Sequence, residues 1–206
     1  MAKNNLVNPK KSNKIKQLDN LQKNNRITVL AGPTAVGKGS ISSAIREKYK
    51  DVFVSISYTN RELRSGEIEG VHYKNVSKET FFDLIKNNEF LEWAKVHNQY
   101  YYGTALEPVL KAVKEGKKVL LEIDLQGARA IRRLLPNSRF IFLAPPDFDT
   151  LVQRQKIRAT EDFDEQLRRL ETAKVEMTAN GEFDYIVVND QLSVAVEKIV
   201  KLMDLK

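Results

Sequence analysis

The sequence predicts an α/β fold whose core has three layers, with a parallel sheet covered by helices on both faces. Short apolar runs rich in β-branched residues alternate with helix-like segments, which is the pattern of a parallel sheet. These runs are apolar throughout, as expected of strands that are buried on both faces. The 206 residues are 42% hydrophobic and 30% charged, a globular composition with enough chain for a sizeable core.

Five core strands are predicted at the apolar runs 27–31, 52–57, 117–124, 139–143 and 185–188. The intervening patterns predict helices at 38–49, 126–135, 147–157, 163–179 and 192–204. Gly32-Pro33 ends the first strand and Pro145-Pro146 ends the fourth, because proline has no N–H to donate to a strand ladder. A predicted helix is the next element after every predicted strand except the second.

Two stretches depart from this alternation. Residues 59–110 are richer in Tyr, Asn, Glu and Arg, and they predict an inserted subdomain with short strands and one helix near 78–87. Residues 1–25 hold six lysines and one acid, so they carry +5 of the formal net charge of +7. They contain too few large apolar side chains to offset ordering entropy and are predicted to be a disordered basic tail. Such a tail is either solvated without a specific role or a tether to nucleic acid or a membrane.

Several kinds of site and location are excluded by composition. The chain has no cysteine, which excludes disulfides, Cys-type zinc sites and thiol nucleophiles. Its two histidines, His72 and His97, are too few for a His-rich metal centre. No apolar run reaches the roughly 18 residues that a membrane span needs, and the N-terminus lacks the apolar core of a secretory signal. We therefore expect a cytoplasmic protein without a membrane partner.

The strongest motif is GPTAVGKGS, which fits Gly-x4-Gly-Lys between a predicted strand and a predicted helix. The glycines let backbone N–H groups surround phosphate oxygens, the helix N-terminus adds partial positive charge, and the lysine reaches the β- and γ-phosphates. A P-loop NTPase-type core is therefore predicted. The hydroxyl that binds magnesium in such loops comes one position late here, at Ser40. The predicted ATP-binding residues are Gly32, Pro33, Thr34, Ala35, Val36, Gly37, Lys38, Gly39 and Ser40.

A second group of residues suits an anionic acceptor. Arg61 and Arg64 are three apart, so a turn could bring both guanidinium groups to one phosphate, with Ser57 and Tyr73 as neutral donors. Considered alone, this segment fits a solvated charged loop better than a binding site. Further along, the acids Glu122 and Asp124 end the third strand, and four arginines surround residues 159–162, at Arg154, Arg158, Arg168 and Arg169.

Taken in order, these motifs make nearly all of the chain after residue 25 resemble the guanylate kinases, which transfer phosphate from ATP to GMP. The resemblance is carried by GPTAVGKGS (32–40), SYTNRELRSGE with Tyr73 (57–73), NNEFLEWAKV (87–96), YYGT (101–104), LLEIDLQGA (120–128), IFLAPP (141–146), the Arg-rich stretch 154–169 and VVND (187–190). It implies a core at 26–58, 111–153 and 171–206, a GMP-binding subdomain at 59–110 and a short lid at 154–170.

The resemblance also implies roles for single residues. The phosphate of GMP would be held by Ser57, Arg61, Arg64, Tyr73 and Tyr102, with Tyr102 chosen over Tyr101. Guanine would be read by Glu92, Thr104 and Asp124, since a carboxylate suits the adjacent N1–H and 2-amino donors and Thr104 could donate to O6. Glu67 is grouped with the GMP-binding residues, and either it or Glu122 would hold a water near magnesium. The implied catalytic residues are Lys38, Arg64, Arg158 and Arg169.

The implied reaction is transfer of the γ-phosphate of ATP to GMP, and also to dGMP, in purine nucleotide metabolism. It needs Mg²⁺ with ATP and no nucleic acid, and the protein would be a monomer or a homodimer. Three positions depart from the usual family pattern, at Asn60, Leu63 and Ala159.

Two alternatives belong to other classes. A non-catalytic binding module of the scaffold type would usually have lost the phosphate loop, whereas Gly37 and Lys38 are present. A GTPase would fit Asp124-Leu125-Gln126-Gly127 as Asp-x-x-Gly, but the chain has no Asn-Lys-x-Asp motif for guanine.

Overall fold

The computed structural model describes residues 17–23, 25–96, 99–158 and 163–205, with the backbone alone at 157, 158 and 163–167. Within these ranges the strands are β1 (Ile27–Ala31), β2 (Val52–Val54), β3 (Ser57–Thr59), β4 (Tyr73–Asn75), β5 (Phe90–Val96), β6 (Tyr100–Ala105), β7 (Lys118–Glu122), β8 (Arg139–Ala144) and β9 (Tyr185–Val188). The helices are α1 (17–22), α2 (Lys38–Lys48), α3 (Lys78–Lys86), α4 (Leu106–Lys114), α5 (Leu125–Leu134), α6 (Phe148–Arg158), α7 (Phe163–Met177) and α8 (Leu192–Leu202), with a 3-10 turn at Thr178–Glu182.

Five strands form one parallel sheet in the order β2-β7-β1-β8-β9. The five predicted core strands are confirmed, although the second ends at Val54 and the third at Glu122. Strand β1 lies at the centre, between β7 and β8. Because the carboxyl ends of parallel strands meet at one edge, the loops after β1 and β7 are neighbours at that edge.

Helices cover both faces of this sheet, which confirms the predicted three-layer α/β core. On one face Leu30 and Leu120 pack with buried residues of α2 and α8. On the other face Val29 and Leu121 pack with buried residues of α4 and α5. In the described part of the chain, no helix combines the length and the apolar character needed to cross a membrane.

The first described residues belong to the core. Residues 17–22 form α1, where Leu21 is 2% exposed and Leu18 packs beside it on the face that carries α4 and α5. The side chain of Gln22 donates a hydrogen bond to the Leu134 carbonyl at 2.7 Å. The prediction of disorder is therefore wrong for residues 17–23, because two leucines three residues apart give this turn an apolar face. Residues 1–16 and 24 lie outside the described residues.

A second, smaller sheet has the order β4-β3-β6-β5, with β3 and β4 parallel and the other pairs antiparallel. Ser57 opens β3 of this sheet, whereas we expected it at the end of the second core strand. The predicted subdomain boundary at residue 110 falls inside α4, a helix that the sequence reading missed. Leu106 and Val109 of α4 are buried against the parallel sheet, so this helix belongs to the core.

The face of the small sheet that carries α3 is aromatic. The rings of Phe81 and Phe90 lie 4.6 Å apart and both residues are buried. Tyr101 packs against Phe81 and Phe82 on this same side. Phe82 and Trp93 remain 41% and 44% exposed, so Phe81 and Phe90 belong to the buried core of this face and these two side chains do not.

Candidate functional site

A cleft of about 930 Å³ lies between the carboxyl edge of the parallel sheet and the small sheet. Its volume is typical of ligand sites. Among the predicted site residues, it is lined by Thr34, Ala35, Val36, Gly37, Lys38, Gly39, Ser40, Ser57, Arg64, Glu67, Tyr73, Glu92, Tyr102, Asp124 and Arg169. Arg61 and Thr104 lie just behind this wall, hydrogen-bonded to residues that form it. Gly32 and Pro33 lie at the base of the loop, and the side chain of Arg158 is outside the described residues.

The predicted phosphate loop joins β1 to α2. Gly37 has φ +100° and immediately precedes α2, which begins without a side-chain cap. A Cβ at Gly37 would lie 2.5 Å from the amide nitrogen of Asn189, and one at Gly32 would lie 2.2 Å from the Leu143 carbonyl oxygen. Both positions therefore require glycine. The first residues of α2 line the cleft, and the N–H groups of a helix N-terminus form a natural anion site.

The loop lysine is held across the mouth of the loop. The ammonium of Lys38 donates hydrogen bonds to the Gly32 carbonyl at 2.6 Å and to the Pro33 carbonyl at 3.2 Å. Ser40 lines the cleft one residue beyond Gly39. Glu122, the last residue of β7, places a carboxylate oxygen 3.8 Å from the position that a Cβ would take on Gly39. Cationic, hydroxyl and carboxylate groups thus meet at one end of the cleft.

The back of the loop is fixed by two residues from other elements. The Asn189 side chain donates to the Val36 carbonyl at 2.8 Å. Arg154 of α6 donates to the Asn189 carbonyl at 3.0 Å and more weakly to the Val36 carbonyl at 3.4 Å. Sequence reasoning placed Arg154 among the lid arginines and had no role for Asn189. The structure instead uses both to join the phosphate loop to the end of β9.

The two predicted anion-binding arginines share one carboxylate. Arg61 is 5% exposed and donates to a Glu67 oxygen at 2.8 Å, and the backbone N–H of Arg64 donates to the same oxygen at 2.9 Å. Burial would raise the pKa of Glu67, but these hydrogen bonds outweigh it and hold the pKa below its usual value. The guanidinium of Arg61 also lies 5.3 Å from the centre of the Tyr73 ring. Glu67 is therefore an ionised clamp on the arginines.

The two candidate tyrosines point to opposite faces of β6. The hydroxyl of Tyr102 accepts a hydrogen bond from Arg61 Nε at 2.8 Å, and its ring lies 5.9 Å from that of Tyr73 at the cleft. The ring of Tyr101 packs on Phe81 at 5.7 Å, on the aromatic face. The Asn60 side chain accepts the backbone N–H of Tyr101 at 2.8 Å and helps to set this register.

Two carboxylates lie together at the other end of the cleft. Glu92 is 7% exposed, and one of its oxygens accepts hydrogen bonds from the Thr104 hydroxyl at 2.7 Å and the Thr104 N–H at 3.1 Å. Burial raises the pKa of Glu92 to about 7, helped by the nearby charge of Asp124 and opposed by Thr104. The Thr104 hydroxyl is directed to Glu92, so the structure differs from our expectation that it donates to a base.

A β-bulge aims Glu92 into the cleft. The pairing of β5 with β6 shifts register between Phe90 and Glu92, so that Phe90 pairs with Ala105 and Glu92 with Thr104. Regular alternation would place Phe90 and Glu92 on the same face of the strand. The extra residue, Leu91, reverses this, since Phe90 lies on the aromatic face and Glu92 faces the cleft.

The second carboxylate is fixed by the helix that follows β7. Asp124 is the N-cap of α5, and one of its oxygens accepts the N–H of Gly127 at 2.7 Å. Burial raises the pKa of Asp124, against the opposing effects of this hydrogen bond and of Lys38. A Cβ at Gly127 would lie 2.8 Å from a Glu92 oxygen and 3.2 Å from the bonded Asp124 oxygen. Only glycine leaves room for both carboxylates here.

Among the side chains of α7 that the structure describes, two charged ones reach the site. Arg169 is 5% exposed and lines the cleft, whereas its neighbour Arg168 is exposed. Glu176, which sequence reasoning missed, accepts a hydrogen bond from the Thr34 N–H at 3.1 Å. Nothing in the local sequence distinguishes Glu176 from the exposed Glu171 on the same helix.

Among the described residues, no group of three or more His, Asp and Glu side chains could hold a metal by itself.

The chain is similar in sequence to known proteins over most of its length. The family model described as guanylate kinase matches residues 24–206. A relative named guanylate kinase from Leifsonia xyli subsp. xyli is 50% identical over 183 residues, which cover 89% of this chain and 72% of that protein. A relative of the same name from Cutibacterium acnes is 45% identical over 179 residues, covering 87% of this chain and 90% of that protein.

The chain also resembles a solved guanylate kinase structure. The crystal structure of guanylate kinase from Anaplasma phagocytophilum superposes with a TM-score of 0.71 at 28% sequence identity. The match covers 86% of this chain and 84% of that one.

Proposed function

The chain belongs to the guanylate kinase family and catalyses the ATP-dependent phosphorylation of GMP, and we propose that the cleft residues described above perform this reaction. One observation carries the assignment of residues. A phosphate loop, a buried pair of carboxylates and Arg64 line the same cleft, and Arg61 is hydrogen-bonded to Tyr102 in its wall. This arrangement suits two nucleotides bound with their phosphates facing each other.

ATP would occupy the end of the cleft formed by residues 32–40. The N–H groups at the start of α2 and the ammonium of Lys38 would hold its β- and γ-phosphates. Lys38 is already held at the loop mouth by the Gly32 and Pro33 carbonyls, so little reorganisation is needed when phosphate replaces them. Asn189 and Arg154 keep the loop in this shape.

GMP would occupy the other end, against the small sheet. Its phosphate would meet Arg61 and Arg64, with Ser57, Tyr73 and Tyr102 as hydroxyl donors. Because Glu67 holds both arginines, it acts on the phosphate through them, and we assign it to positioning. Arginine forks match phosphate oxygens in pairs, which fixes the orientation of the acceptor as well as its affinity.

Guanine would be read by Glu92 and Asp124. It presents two adjacent donors, N1–H and the 2-amino group, to an ionised carboxylate, whereas adenine has an acceptor at N1. Adenine would therefore leave a buried carboxylate unpaired, which is a strong basis for discrimination. Thr104 would contribute through Glu92, whose orientation it fixes. Because dGMP carries the same base and phosphate as GMP, it is proposed as a second substrate.

The chemistry needs charge stabilisation more than a base. An oxygen of the GMP phosphate attacks the γ-phosphorus of ATP while the bond to the β–γ bridging oxygen breaks, giving GDP and ADP. The loose transition state spreads negative charge over the transferred oxygens. Lys38, Arg64 and Arg169 would neutralise this charge, together with Arg158, whose side chain lies outside the described residues. The acceptor phosphate is already anionic at neutral pH, so no general base is assigned.

Mg²⁺ is proposed as the ion that accompanies ATP. The oxygen donors at the loop fit this ion, because the hydroxyl of Ser40 and the carboxylate of Glu122 lie at the phosphate end of the cleft. Glu122 is preferred to Glu67 for this role, since Glu67 is already bound to arginines. When bound, the ion would neutralise charge on the β- and γ-phosphates. We propose a cytoplasmic reaction on these nucleotides that requires no nucleic acid.

A coupled assay of ADP formation tests the proposal with GMP, dGMP, AMP, CMP and UMP as acceptors. We expect rapid turnover with GMP and dGMP, and rates lower by several powers of ten with the other three. The folded Lys38→Ala variant should lose turnover with every acceptor. ATP hydrolysis without GMP-dependent GDP formation would overturn the proposal, as would near-normal turnover of the Lys38→Ala variant.

A further inference from the structure

Helix α7 places two charged side chains on the face that it turns toward the phosphate loop. Arg169 and Glu176 are seven residues apart, which is about two helical turns, so they lie on one side of the helix. Ala173 lies between them and is fully buried in the core. One end of this face carries Arg169 into the cleft, and the other carries Glu176 to the loop.

The contact of Glu176 is with the loop backbone itself. The Thr34 N–H donates to its carboxylate at 3.1 Å, although Thr34 and Glu176 are 142 residues apart in the chain. Burial raises the pKa of Glu176, while the charge of Lys38 and the Thr34 hydrogen bond oppose that rise. Glu176 is thus a partly buried carboxylate that joins α7 to the loop next to its lysine.

Among its described side chains, α7 packs on the core through Leu170 and Ala173. Ala173 is buried, but Val175, adjacent to Glu176, is 66% exposed. The apolar neighbour of Glu176 is exposed, so the hydrogen bond of Glu176 to Thr34 fixes this end of the helix against the loop. An error of about 1 Å in placing a catalytic group can reduce a rate by about a hundredfold.

We propose that Glu176 is a positioning residue, whose hydrogen bond to Thr34 joins the phosphate loop and α7 into one unit and so places Arg169 over the transferred phosphoryl group. This inference rests on the proposed function of Arg169. It assigns to Glu176 an effect on the transition state and little effect on the binding of either nucleotide. The hydrogen bond carries the effect, and the negative charge of Glu176 is not required.

Three substitutions separate the bond from the charge. Glu176→Gln keeps an acceptor of the same reach and should retain kcat within about threefold, since one neutral hydrogen bond replaces a charged one. Glu176→Ala removes the acceptor, and Glu176→Asp keeps the charge but is one methylene too short. Both should lower kcat about tenfold while KM for GMP changes less than about twofold. Glu171→Ala, at an exposed position of the same helix, is the matched control and should leave kcat unchanged.

A double-mutant cycle with Arg169 distinguishes a positioning role from a purely structural one, because it measures whether the kcat losses at Glu176 and Arg169 depend on each other. Once Arg169→Ala has removed the guanidinium, adding Glu176→Ala should lower kcat less than about twofold further. Independent tenfold losses, an unchanged kcat in Glu176→Ala, or an active Asp variant beside an impaired Gln variant would each overturn the inference. If the wild-type protein failed to form GDP, the proposed function would fail first.

Discussion

One oxygen of Glu92 accepts two hydrogen bonds from Thr104, from the hydroxyl at 2.7 Å and from the backbone N–H at 3.1 Å. The two residues face each other across β5 and β6, and both are almost fully buried. The other carboxylate oxygen lies beside Gly127. Thr104 therefore fixes the rotation of the carboxyl group and leaves one oxygen for a ligand that can offer donors.

The affinity for GMP should depend on pH through Glu92. Burial raises its pKa to about 7, and guanine needs the ionised form, so the proton must leave when GMP binds. The dissociation constant of GMP should rise about tenfold between about pH 8 and about pH 6, while that of ATP should change far less. Calorimetric titration of each nucleotide at both pH values measures this. Glu92→Gln is the control, because it removes this titration and leaves those of Asp124 and of the GMP phosphate, whose second pKa is about 6.

The same raised pKa should reduce stability at high pH. A carboxyl with a pKa of about 7 in the folded protein and 4.5 in a model compound holds its proton more tightly when folded. Its contribution to stability is complete below about pH 4.5 and is lost as the pH rises through about 7. Glu92→Gln should therefore unfold at a higher temperature than the wild type at about pH 8, by scanning calorimetry. If the melting temperature of Glu92→Gln at that pH were equal to or below that of the wild type, ionised Glu92 would not destabilise the folded protein.

Gly127→Ala should weaken GMP binding without affecting ATP. The added methyl group would lie 2.8 Å from a Glu92 oxygen and 3.2 Å from an Asp124 oxygen, so it would displace the groups that read the base. We expect KM for GMP to rise at least about tenfold and KM for ATP to stay within about twofold. Gly181→Ala is the matched control, because no atom lies within 4 Å of a Cβ there. Parallel increases in both KM values would point to general misfolding instead.

Removing the hydroxyl of Tyr102 should affect GMP more than removing that of Tyr101. The Tyr102 hydroxyl is bonded to Arg61 at the cleft, whereas the Tyr101 ring packs on Phe81 on the opposite face. Steady-state kinetics should give a rise of about fivefold or more in KM for GMP in Tyr102→Phe and less than about twofold in Tyr101→Phe. The reverse order would place Tyr101 at the substrate.

The parts of the fold that follow from local patterns were predictable. The strands of the parallel sheet are continuous apolar runs, and the phosphate loop is a contiguous motif, so both could be placed from the sequence. Helix α1 could not, because its stability comes from burying Leu21 against distant elements and not from its own composition. The lysine-rich sequence around Leu21 predicts disorder and gives no sign of this contact.

The site was predictable residue by residue only where a motif includes the residue. The bulge at Leu91 decides which face of β5 carries Glu92, yet alternation alone would place Glu92 with Phe90 on the aromatic face. Glu176 reaches Thr34 through tertiary packing, and its sequence neighbourhood resembles that of the exposed Glu171. Such contacts depend on strand register and on the crossing of distant elements, which a single sequence does not specify.

The most direct test of the account is the ratio of kcat/KM for GMP to kcat/KM for AMP, measured in the wild type and in Glu92→Gln. If Glu92 and Asp124 read guanine, the wild-type ratio should be at least about ten thousand, and Glu92→Gln should reduce it at least about a hundredfold while the protein stays folded. A wild-type ratio near one would contradict the account. So would a folded Glu92→Gln variant that discriminates as well as the wild type.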